Sequence, residues 1–202
     1  MERIFTTVLE HLHITTTGVL TAVIIGVAIG IFLTRYKPLA GFVMALIDII
    51  QTVPTLALLS ILMTMFGLGD GTVIIGLFLY SLLPIIRNTY VGILGVEGGL
   101  VEAGLGMGMT KMQLLFKVEL PIALPIILSG IRIAFITALG ITTIGVLIGA
   151  GGLGYFIWRG IQMQNVQMIL SGAIPVSILA VGADLMLSHL EGRLVKKARK
   201  AK

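Results

Sequence analysis

The sequence predicts an all-α polytopic membrane protein with five transmembrane helices, its N-terminus outside and its C-terminus inside. Three observations carry that expectation. The first is composition: 57% of the 202 residues are hydrophobic and 11% are charged. A soluble domain carries about a quarter charged residues, so most side chains here meet lipid or other helices rather than water. The second is a series of five runs with few or no charges, each near the ~20 residues a helix needs to cross a bilayer. The third is charge placement. With the C-terminus inside, twelve of the fourteen Lys and Arg fall on the inner side, and only Arg3 and Arg159 fall outside. Lys and Arg resist translocation, so this asymmetry sets the orientation.

The expected elements run in order. Residues 1–13 form a polar extracytoplasmic segment in which His11 and His13 are solvated or interfacial. The first span covers about 14–34 and ends at Arg35 and Lys37. Its Gly18, Ala22, Gly26 and Gly30 recur every four residues, which places them on one helix face where another backbone can approach closely; packing inside this subunit is preferred to a contact between copies. The second span, about 39–66, contains Pro54, whose missing N–H and ring clash kink or break a helix. The third covers about 71–96, the fourth about 125–148 and the fifth about 166–190. Residues 149–154, GAGGLG, match a dinucleotide-binding pattern in letters only. No strand precedes them and no acidic residue follows about twenty positions on, so they read as an outer-face turn. Trp158 beside Arg159 reads as an interfacial anchor. The basic tail, 192–202, anchors the last helix on an anionic inner leaflet rather than binding nucleic acid.

The absence of cysteine excludes disulfides and thiolate chemistry. His11, His13 and His189 make no metal-ligand set. No nucleophile–base constellation or phosphate loop is present, so the chain is expected to be neither an enzyme nor a cofactor protein.

Residues 97–124 depart from the rest. Within VEAGLGMGMTKMQLLFKVELPIALP (101–125), Val101, Leu105, Met109, Met112, Leu115 and Phe116 follow a helical period. Gly104, Gly106 and Gly108 interrupt it. The pattern predicts a short helix, a turn and a second helix stopped by Pro121, offering an apolar face to another protein. An interfacial helix lying on the membrane is the alternative.

Glu102-Ala103-Gly104, with Gly108 six residues after the Glu and Leu120-Pro121 near the end, resembles the EAA loop of binding-protein-dependent ABC importer permeases. Gly104 stands where that loop usually has Ala. IIQTVPTLALL (49–59), LYSLLPIIRNTYVGI (79–93) and IGAGGLG (148–154) resemble the permeases that import glycine betaine, carnitine and choline, and the likeness covers about 14–191. The resemblance implies a type I ABC importer permease (MetI-like) architecture in a bacterial plasma membrane. It implies that Glu102, Ala103, Gly104, Gly108, Met109, Met112, Leu115 and Pro121 form a coupling segment that docks on a cytoplasmic ABC ATPase dimer, where ATP and Mg would be bound. A second permease copy, the same or a similar chain, and an extracytoplasmic solute-binding protein complete the implied assembly. The binding protein would meet the outer face around residues 67–71 and 149–159. Another small solute, or a membrane channel or scaffold outside this class, are the competing readings.

Aromatic residues make up only 6% of the chain, which leaves little for a cage around a trimethylammonium group and moves recognition to the binding protein. Candidate path-lining residues are Gln51, Thr52 and Pro54 at the helix break, and Asn88 and Tyr90 on the third span. Thr137, Thr142 and Thr143 read as interhelical hydrogen bonds before they read as lining. Asp48, Arg132 and Asp184 are costly inside a bilayer and are expected to pair, snorkel or gate.

Overall fold

The computed structural model describes residues 2–200, with side chains for 4–196. Every regular element among them is helical: α1 (Glu2–Arg35), α2 (Lys37–Thr52), α3 (Thr55–Phe66), α4 (Asp70–Leu94), α5 (Gly98–Gly106), α6 (Lys111–Leu114), α7 (Leu120–Ile144), α8 (Gly154–Gln162) and α9 (Val166–Lys200). A π-helical turn, Leu115–Glu119, joins α6 to α7, and a 3-10 turn, Gly145–Ile148, ends α7. Four stretches are long and apolar enough to cross a membrane: Ile4–Arg35, Asp70–Leu94, Lys111–Ile148 and Val166–Lys196. The pair α2–α3 passes the same test together but bends by 97°.

The small residues of α1 explain the centre of the bundle. In lipid no hydrophobic force drives helices together, so close van der Waals packing must do it. A Cβ on Gly18 would lie 2.7 Å from Leu77 Cβ, one on Gly26 2.9 Å from Ile85 Cγ2, and one on Gly30 2.6 Å from Thr89 Cβ. The contacts rise together along both helices, so α1 and α4 run parallel. The ladder packs within the subunit. Parallel neighbours also require the chain to return from Arg35 to Asp70, and α2 and α3 make that return. Contacts between α4 and α7 run in opposite order, Gly92 against Ala123 and Gly145 against Val73, so these two are antiparallel. Ile14, Leu33, Leu59, Leu77, Ile85, Ile86, Ala134 and Ala138 form the core between them.

The break at Pro54 occurs as the sequence predicts, and its locking is reciprocal. Pro84 inside α4 has no N–H for the carbonyl of Tyr80. Gln51 Nε2 donates to that carbonyl at 2.6 Å, while the Tyr80 hydroxyl donates to the carbonyl of Val53 at the bend.

Three expectations are corrected. His11 is fully buried rather than solvated, its Nε2 3.1 Å from the carbonyl of Leu139, because α1 begins at Glu2 and carries it against α7. Next to it Thr15 and Thr142 share a 2.8 Å hydrogen bond. Pro121 does not stop a helix. The widened π turn just before it absorbs the missing N–H and the ring, with Leu120 N donating to the carbonyl of Leu115, and the helix continues into α7. Leu115 is turned inward, as described below. The basic tail lies largely at 197–202, outside the residues whose side chains are described.

Candidate functional site

The Arg35 end of the bundle carries the segment 97–119. Gly108 adopts φ +81°, a left-handed conformation that side chains with a Cβ disfavour, and it folds α5 back from α6. Thr110 then starts α6 with a capping box. Its Oγ1 accepts from Gln113 N at 3.3 Å, and Gln113 Oε1 accepts from Thr110 N at 2.9 Å. The pattern Thr-x-x-Gln was present in the sequence and is a recognised helix start; the sequence reading passed over it.

The hook formed this way is not uniformly apolar outside. Leu105, Met107 and Met112 are 50%, 73% and 63% exposed. Glu102 and Ala103 are exposed beside them, and Met109 is half-buried. Leu115 is only 6% exposed and packs with Ile93, Ala123 and Ile127. The π turn shifts its register, so it belongs to the core and not to the presented face; Phe116, outward at 59%, takes that place. Met107 was not singled out because it breaks the three-and-four period. Gly104 is buried under Leu114: a Cβ there would meet Leu114 Cδ1 at 2.8 Å. Pro121 is exposed on the continuing helix.

Glu119 anchors the base of the hook. It is 5% exposed and ion-paired with Arg35, whose Nη1 also reaches Glu119 Oε1 at 3.4 Å. Arg35 marks the end of the first span in the sequence and Glu119 is one of the charges of the 101–125 stretch, but nothing there pairs them across 84 positions.

Further along, a cavity of about 270 Å³ opens between α2, α4 and α7. Gln51, Tyr80, Arg87, Asn88 and Thr137 line it. The structure therefore brings Gln51 and Asn88 together, with Thr137 opposite. Gln51 spends its amide on Tyr80, and Asn88 Nδ2 donates to the carbonyl of Pro84 at 2.8 Å. Thr52 bonds its own helix at Ile49, and Pro54 precedes α3; neither lines this cavity. Tyr90 lines a second cavity of about 360 Å³ with Lys37, Met44 and Arg87. Thr143 bonds the carbonyl of Gly140 in its own helix.

The intramembrane charges are paired. Arg87 Nη2 donates to both oxygens of Asp48 at 2.9 and 3.0 Å. Arg132 Nε donates to Asp184 at 2.6 Å and its Nη1 to Glu191 at 3.4 Å, tying α7 to α9. At the opposite end of the bundle the glycine turn after α7 is clasped by two carboxylates. Asp70 accepts from Gly151 N at 2.8 Å and Glu10 from Gly152 N at 3.4 Å.

Comparison with known proteins decides what such a bundle is. The family model described as binding-protein-dependent transport system inner membrane component matches residues 22–196. The chain belongs to this family. The permease is also 51% identical over 193 residues to the glycine betaine/carnitine/choline transport system permease protein OpuCD of Bacillus subtilis, covering 94% of this chain and 84% of the relative. It is 48% identical over 194 residues to the carnitine transport permease protein OpuCD of Listeria monocytogenes, covering 95% and 87%. Its fold is similar to a chain of the MetNI methionine ABC transporter in an inward-facing conformation, with a TM-score of 0.85, 26% identity and coverage of 96% and 97%. The permease is thus the membrane-embedded subunit of an ABC importer, a multi-pass inner-membrane protein with the MetI-like type I helical arrangement.

Proposed function

We infer that the permease translocates a small trimethylammonium osmoprotectant of the glycine betaine, carnitine or choline type, delivered from outside by a solute-binding protein and driven by a separate cytoplasmic ATPase pair. The observation that carries the reading is the hook at 98–116. A left-handed glycine and a capped helix hold Leu105, Met107, Met112 and Phe116 outward at one end of a membrane bundle, which suits docking into a groove on another protein. The relatives named for betaine, carnitine and choline supply the solute class.

In this reading the N-terminus is outside and the C-terminus inside, and the chain crosses five times, α2 and α3 together making the second crossing. Support comes from the parallel course of α1 and α4 and from Arg35, Lys37, Lys111 and Lys117 gathering at the hook end. The ATPase pair binds ATP and Mg, and Glu102, Ala103, Gly104, Gly108, Met109 and Met112 belong to the docking hook. A second permease chain faces the polar cavity, with Gln51, Asn88 and Tyr90 beside the path. Bacillus subtilis has both an OpuCD and an OpuCB permease protein under the same transport-system name, 51% and 43% identical to this chain. That favours a pair of similar rather than identical chains.

Uptake of labelled glycine betaine at high osmolarity, in cells with and without this gene, tests the solute. Loss of a high-affinity, ATP-dependent component on deletion supports it. Unchanged uptake, with other betaine importers deleted, sinks the substrate assignment and leaves the importer subunit standing.

A further inference from the structure

The three groups of ion pairs in this bundle do different work. Arg35–Glu119 holds a carboxylate that is nearly buried, and Arg132 is held by two partners across α7 and α9. Asp48–Arg87 is unlike both. The guanidinium side chain is 50% exposed and the carboxylate 46%. Both contacts use one nitrogen, Nη2, so Nη1 and Nε keep donors to offer. Arg87 stands seven residues before the end of α4 at Leu94, about 10 Å along the axis. Open charges at that depth are expensive against lipid and belong on a wet or partnered face.

The surroundings point to a wet path. Arg87 lines both the 270 Å³ cavity with Gln51 and Asn88 and the 360 Å³ cavity with Lys37 and Tyr90. Arg87 therefore stands where the two cavities meet along α4, with Asp48 bonded to it. An opposite pair of charges that is half open, and satisfied while empty, can exchange partners with a solute carrying the same two charges, and the net charge of the site stays zero throughout.

We propose that Asp48 and Arg87 form a transit subsite for a zwitterionic solute, whose carboxylate is taken by Arg87 while its ammonium stands against Asp48. This rests on the betaine reading above and deepens it. The planar guanidinium suits a carboxylate in two-point contact. A trimethylammonium group has no N–H, so Asp48 acts on it through charge alone. A cation that has an alcohol in place of the carboxylate, such as choline, uses Asp48 and has nothing for Arg87. Both kinds of solute therefore use Asp48, and only the one with a carboxylate uses Arg87.

The test is uptake of labelled glycine betaine and of choline by the complete importer, with its ATPase and binding protein, reconstituted in proteoliposomes. Co-purification of the ATPase with each variant reports that the permease is folded. Arg87→Gln is expected to lower the betaine-to-choline uptake ratio at least tenfold, and Arg87→Lys, which keeps the charge but loses the two-point contact, to recover part of it. Asp48→Asn is expected to lower uptake of both, with the ratio held within threefold. A ratio unchanged by Arg87→Gln in a folded importer overturns the subsite while leaving the substrate reading intact. A wild type that carries only glycine betaine is judged by rescue: no recovery with Arg87→Lys overturns the subsite. A wild type confined to choline overturns it as well, and one that carries neither solute removes the substrate reading with it.

Discussion

Arg35, the last residue of α1, is ion-paired with Glu119, the last residue of the π turn, and so joins the first helix to the base of the hook. Removing Arg35 leaves the Glu119 carboxylate buried without its partner, whereas Arg35 is itself open to solvent. Arg35→Ala is expected to destabilise the permease by about 1–3 kcal/mol, measured by denaturation in detergent. The reversed pair, Arg35→Glu with Glu119→Arg, should recover part of that loss. A reversed pair no better than the single variants would mean the interaction is not electrostatic.

Gly108 and Gly104 should respond differently to a side chain. At Gly108 there is open space but φ is +81°, so Gly108→Leu costs about 1–2 kcal/mol of backbone strain and adds bulk to the proposed docking hook. Membrane insertion is expected to persist and transport to be lost. Gly104→Ala meets the tip of Leu114 and, at 3.4 Å, Met109 Sδ, both ends of flexible side chains, and transport should survive. Normal uptake by a well-inserted Gly108→Leu permease would count against the docking role.

The hook separates surface from core residue by residue. Leu105→Asp and Met112→Asp should abolish co-purification with the ATPase and leave thermal stability near wild type. Leu115→Ala should instead cost about 2–5 kcal/mol, because that side chain fills the cluster of Ile93, Ala123 and Ile127. Equal stability losses at all three positions would show that the exposed face is not a separate surface.

Bulk on the α1 ladder should damage the bundle. Gly30→Leu drives a side chain into Thr89 and the carbonyl of Ile86, and overpacking of this kind costs about 1–3 kcal/mol or more. Reduced yield of folded permease in detergent is the expected readout. Gly41→Leu, which meets nothing within 4 Å on α2, is the matched substitution that should be tolerated.

Much of this was legible in the chain because lipid imposes simple demands. Uncharged length marked the spanning helices, the four-residue glycine ladder marked the closest packing, and Pro54 marked the break. What stayed hidden depends on phase and on distant partners. Period counting placed Leu115 outside because it assumes 3.6 residues per turn, and a π turn violates that assumption just there. His11 looked solvated because its neighbours are polar, while the helix that buries it extends twelve residues upstream of the apolar run. The pairing of Glu119 with Arg35 carried no local signal, since it comes only from their meeting across 84 positions. Gln51 was selected as lining, and its amide proved to repair the carbonyl that Pro84 leaves open.

The π turn also acts as a clock setting. It places one extra residue in the ladder between the hook and the long helix that carries Arg132 and Thr137. Each residue added or removed rotates everything beyond it by ~100° about the helix axis. A residue deleted from the regular helix after the turn would leave every downstream side chain present but aimed elsewhere, with Arg132 swung away from Asp184 and Thr137 out of the cavity, whereas Leu115–Glu119 holds an extra residue whose loss restores an ordinary α turn and keeps those faces. The angular offset between the proposed docking hook and the proposed solute path is therefore set by the residue count of the helix between them, and the π turn is a place along it where a change of length can be absorbed without desynchronising the two.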